Sequence, residues 1–123
     1  MSKKFFSALA ALVIVLSLSV MAAAQDKKSV TLTGNIVDKA CSAKATTAEA
    51  AANHKKGCAL SANCLKSGLG VFADGKYVEF DEKGTELGKA ALEKTSKASG
   101  AKFKVVGKVA DGKMMVESIT EVE

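Results

Sequence analysis

The chain has no arginine: all 18 of its basic side chains are lysine. A lysine ammonium is a strongly hydrated point charge, a poor reader of phosphate or carboxylate beside the guanidinium fork. Aromatic residues make up 5% of the sequence, with no tryptophan and one tyrosine, so rings for stacking bases are scarce. Together with a weakly basic balance, these scarcities argue against a nucleic-acid role. There is no Cys-x-x-Cys pair, which removes the thiol-oxidoreductase motif and the standard zinc-finger spacing, and no Cys-x-x-Cys-His for covalent haem attachment. Past the N-terminal region, no apolar run approaches the roughly 20 residues of a membrane span.

The N-terminus reads as an export signal. Lys3 and Lys4 precede an apolar stretch from Phe5 to Val20, and Ala22-Ala23-Ala24 supplies small residues for cleavage after Ala24. The expectation is a leader over 1–24 and a mature domain over 25–123, periplasmic or secreted, with no stable membrane insertion after cleavage. Two lysines lie in the leader and all 13 acidic residues lie beyond it, so the whole-chain charge of +5 becomes +3 in the mature part. That is a solvated lysine surface rather than a polyanion-binding one.

Alternation from Ser29 to Val37 predicts a half-buried strand, with Val30, Leu32 and Ile36 inward and Gly34 marking a bulge or bend. Residues 38–45 read as loop. Thr46 and Glu49 form a capping box for a helix over Ala48–Lys56, with Gly57 as its C-terminal cap. A second short helix is expected over Ala59–Lys66, ending at Gly68. Val71–Ala73 and Lys76–Phe80 flank Asp74-Gly75, the signature of a two-residue hairpin. A helix over Thr85–Ala98 follows, buried through Leu87, Ala91 and Ala98. Lys102–Ala110 and Met114–Val122 form a second hairpin about Asp111-Gly112, with a slip in alternation near Ser118 that suggests a bulge. The fold class is mostly β with added helices. The expected architecture is a small OB-like five-stranded barrel, with a helical Cys/His insertion between the first two strands and a helix between the third and fourth; the alternative is an α+β sheet of the same elements that does not close.

The chemistry concentrates in that insertion. It holds the three cysteines, Cys41, Cys58 and Cys64, and the one histidine, His54. Three thiolates and an imidazole are a tetrahedral donor set for zinc, and soft sulfur with imidazole also suits Cu(I). Cys41, His54, Cys58 and Cys64 are therefore the candidate metal ligands. In an oxidising compartment two of the cysteines would instead pair, and Cys41, on a loop, reaches Cys58 or Cys64 most easily. A thiol-dependent redox or sensor role for Cys58 or Cys64 is the alternative, with Lys55, Lys56 and His54 placed to activate Cys58. Asp38, three residues before Cys41, is placed either to end the strand or to orient His54 as an acceptor. Asp81 and Glu82 read as turn formers, and Phe72 and Tyr77 as a packed cross-strand pair.

The run Thr33-Gly34-Asn35-Ile36-Val37-Asp38-Lys39-Ala40-Cys41, followed by His54, Cys58-Ala59 and Cys64, resembles a group of small exported bacterial proteins of uncharacterised function. In these a strand ending Gly-x-Val-Val-Asp-x-x-Cys leads to a His…Cys-Ala…Cys segment and then barrel strands. The resemblance implies an OB-like barrel and an exported product, without implying a reaction. The reading that follows is an exported, non-enzymatic binding module with no catalytic residue assigned, its partner a metal ion or an unidentified small ligand.

Overall fold

The computed structural model describes residues 28–123; the expected leader lies outside the described residues. Along the chain come β1 (Val30–Asp38), α1 (Lys39–Ser42), α2 (Ala48–Ala52), α3 (Lys56–Ala59), α4 (Ala62–Ser67), β2 (Leu69–Ala73), β3 (Lys76–Phe80), α5 (Glu82–Lys94), β4 (Lys102–Ala110) and β5 (Lys113–Val122). This is a small mixed β/α protein whose five strands close in a ring, in the order β1-β2-β3-β5-β4, with β4 paired back to β1. Every pairing is antiparallel except the short parallel contact of β3 with β5. Among the described residues no helix is long and apolar enough to cross a membrane.

Closure depends on β1 changing partners halfway along. Residues 30–34 pair with β4, and Asn35 to Asp38 pair with β2. The change falls at Gly34, where a Cβ would overlap the carbonyl of Phe72. The glycine anticipated as a bend is thus a point of close backbone approach. Both Asp-Gly turns form as expected. Asp74 and Gly75 have φ of 51° and 77°, and Asp111 and Gly112 have 53° and 74°, the left-handed pair a tight hairpin requires. The slip near Ser118 is a bulge: Val106 faces Ser118 while Gly107 faces Val116, leaving Glu117 as the extra residue.

Leu69, Val71, Phe80, Phe103, Val105 and Met114 fill the ring. Of the three β1 side chains expected inside, Ile36 is buried, Leu32 is partly buried, and Val30 is exposed at the strand's start. Helix α5 begins three residues earlier than predicted and ends four earlier. Asp81 is its N-cap rather than a turn former, accepting from the Gly84 amide at 2.8 Å and also from that of Val116 at 3.2 Å. Its buried stripe is Gly84, Gly88 and Leu92, with Leu87 and Ala91 at the margin. The two glycines, four apart, let the helix settle close to Phe80, Val116 and Leu69.

A second, smaller cluster holds the insertion down. Strand alternation turns Ile36 into the ring and Val37 outward, where it meets Ala45, Ala51 and Phe72, flanked by Cys41 and Tyr77. Phe72 and Tyr77 are direct cross-strand partners. Strand β2 is therefore buried along its whole length, with the ring core on one face and the insertion or Tyr77 on the other.

Candidate metal centre

Asp38 ends β1 and caps α1. Its Oδ2 accepts from the backbone N–H of Cys41 at 3.0 Å, so residues expected to be loop form a short helical turn that fixes Cys41. The Lys39 amide donates to the Gly68 carbonyl at 2.9 Å, and the Ala40 amide to the Ser67 hydroxyl at 3.1 Å. These bonds bring the end of α4 back to the end of β1, so both ends of the insertion lie together.

The middle of the insertion differs from the sequence expectation. Thr47, not Thr46, caps α2, accepting from the Ala50 amide at 3.1 Å. The helix ends at Ala52 instead of running to Lys56, and Lys55 is extended, with ψ of 136°. Gly57 lies inside α3 rather than serving as a cap. The break has a tertiary cause. The Lys56 amide and ammonium are held by the carbonyls of Ala98 and Thr95, in the segment after α5, and His54 turns inward to Asp38. His54 and Cys58 therefore meet across a break between helices, not along one helical face.

His54 Nε2 lies 2.7 Å from Asp38 Oδ1, with the Asp38 side chain fully buried and that of His54 12% exposed. Burial pushes the Asp38 carboxyl up, but the Cys64 and Cys41 thiols, His54 and the Cys41 amide outweigh it and hold the group below its usual range. An ionised carboxylate only accepts hydrogen bonds, so the Nε2 atom carries the proton. In the neutral ring the lone pair is then on Nδ1.

One donor atom from each of Asp38, Cys41, His54 and Cys58 lies within 4.8 Å of the others, an arrangement able to hold a metal ion. Three of the four predicted ligands, Cys41, His54 and Cys58, are thus brought together. Cys64, on α4, falls outside this set, although its thiol adjoins Asp38. All three cysteines are free thiols, so the expected disulfide is not formed. Burial, followed by Asp38 and Cys58, pushes the Cys41 thiol up to about 12. The Ser61 contact draws the Cys64 thiol down, but burial and the Asp38 and Cys58 charges outweigh it and leave it raised. A buried anion surrounded by thiols and imidazole is an environment a cation would neutralise. The sequence signal for Asp38 was its place at a strand end, three residues before a cysteine. Comparison with family models, curated proteins and solved structures finds no match.

Proposed function

We propose that the chain is a small exported module that binds one thiophilic ion, Zn(II) or Cu(I), through Cys41, Cys58 and Nδ1 of His54. The reading is carried by the convergence of the Asp38, Cys41, His54 and Cys58 donors within 4.8 Å. Both Asp38 oxygens are already engaged, by His54 and by the Cys41 amide. Asp38 then serves as the outer carboxylate of a carboxylate–histidine–metal arrangement, fixing the ring's tautomer and orientation. Two sulfurs and one imidazole are a donor set that both ions accept.

We also read the ring as OB-like. The strand order β1-β2-β3-β5-β4 and the helix between β3 and β4 support this. The insertion then occupies the connection between the first two strands, one that borders the ligand face in OB-folds. Titration of the reduced, metal-free protein with zinc against a chromophoric chelator tests the metal reading. One ion per chain is expected, lost in the triple variant Cys41→Ala, His54→Ala, Cys58→Ala. Equal binding by wild type and triple variant would sink it.

A further inference from the structure

Two of the converging donors are thiols that differ in access. Cys58, on α3, is exposed, whereas Cys41, on α1, is half-buried against the Val37 and Phe72 cluster. Their sulfurs lie within 4.8 Å of each other. They belong to different short helices, so neither is held at a fixed helical rise from the other. Cys64 adjoins Asp38 but falls outside the set of four mutually close donors. Exchange with a small disulfide depends on access to the attacking thiol, so the exposed Cys58 is the entry point and the shielded Cys41, close behind it, the second thiol.

We propose, building on the metal reading, that Cys58 is an exchange site for low-molecular-weight disulfides and Cys41 its resolving thiol, so that the same two sulfurs hold either an ion or a disulfide. In the first step the Cys58 thiolate attacks one sulfur of a small disulfide such as oxidised glutathione. The old S–S bond breaks, a mixed disulfide forms on Cys58, and the first small thiol leaves with a proton. In the second step the Cys41 thiol gives up its proton as its sulfur attacks the Cys58 sulfur, a Cys41–Cys58 bond forms, and the second small thiol leaves with that proton. Two protein thiols are oxidised by two electrons, and the small disulfide is reduced to two thiols. The product has lost both sulfur ligands as thiolates and keeps only His54 from the inner set. A bound ion, conversely, occupies both sulfurs and protects them.

The test treats the full chain with oxidised glutathione, with and without prior zinc loading, and maps its disulfides by mass spectrometry after non-reducing proteolysis. The metal-free protein should yield a Cys41–Cys58 link and leave Cys64 free, and the zinc-loaded protein should react far more slowly. Zinc affinity should fall on oxidation by more than about 100-fold, beyond the effect of losing an outer partner, and recover on reduction. Cys41→Ser should stop at the glutathione adduct on Cys58. A Cys58–Cys64 link, a stable wild-type adduct, or an oxidised protein with undiminished zinc affinity would overturn the proposal. Zinc titration of the reduced protein tests the metal reading alone, and the disulfide map tests the exchange chemistry alone.

Discussion

His54 Nε2 sits 2.7 Å from Oδ1 of Asp38, whose side chain has no solvent exposure. Asp38's other oxygen holds the Cys41 amide at 3.0 Å. One carboxylate therefore positions an imidazole and a thiol that lie 13 residues apart in sequence. Asp38→Asn keeps the shape but presents an amide N–H₂ to one of two donors. We expect a stability loss of about 1–3 kcal/mol from the mismatched buried group. Zinc affinity should drop about 10–100-fold with the stoichiometry unchanged. Denaturant melts and chelator competition on the same preparation check both. Unchanged zinc affinity would mean that Asp38 is structural alone.

Tyr77 offers a pH prediction. Among the described residues its hydroxyl is the buried side-chain polar atom without a hydrogen-bond partner. Burial first, then the Glu79 and Asp38 charges, raise its pKa above the usual value. The unfolded phenol ionises near pH 10. Since the folded pKa is the higher, the neutral phenol's contribution to stability is complete below about pH 10 and lost as pH rises above it. Tyr77→Phe removes this dependence along with an unsatisfied group, so at pH 8 it should be neutral or stabilising by up to about 1 kcal/mol. Urea titrations at pH 8 and pH 11 should show the variant losing less stability than wild type.

Gly34→Ala tests the closure of the ring. The added methyl would overlap the Phe72 carbonyl at the point where β1 passes from β4 to β2. Backbone cannot rotate away as a side chain can, so we expect a cost at or beyond the upper end of the roughly 1–3 kcal/mol typical of overpacking. Gly57→Ala, with open space around its Cβ position, should instead be tolerated or mildly stabilising, as for an ordinary helical site. Thermal melts of the two variants separate the cases.

Local signals explain which parts of the structure were legible in the sequence. The two Asp-Gly turns, the slip at Ser118 and most of the strand alternation arise from neighbours in the chain and were readable, although Val30, expected inward, is exposed. The end of α2 was not, because it is set by the Ala98 and Thr95 carbonyls holding Lys56, more than 35 residues away in the chain. An alanine-rich run with Gly57 behind it reads locally as one helix, and only tertiary contacts divide it. The start of α5 was missed because Gly84, a poor helix former, reads locally as a turn residue, whereas it admits Phe80 and Val116. At the site, cysteine and histidine composition pointed to Cys41, His54 and Cys58. It could not rank Cys64 below them, since that depends on how α3 and α4 are set relative to Asp38.

That ranking supplies the sharpest contrast between two variants of the same chemistry. Cys58 belongs to the group of donors within 4.8 Å, whereas Cys64 touches Asp38 without joining it. Cys58 is also exposed, so its serine variant should leave the packing of the fold intact. If the ion is held by Cys41, Cys58 and His54, then Cys58→Ser removes an inner ligand and should lower zinc affinity by more than about 100-fold, beyond the range for outer partners. Cys64→Ser alters only the surroundings of Asp38 and should cost about 10-fold or less, the mild end of that range. Competition titrations on both variants, with circular dichroism to verify folding, measure the difference. Equal losses would place Cys64 among the ligands and restore the three-thiolate set, and a larger loss at Cys64 would move the centre toward α4.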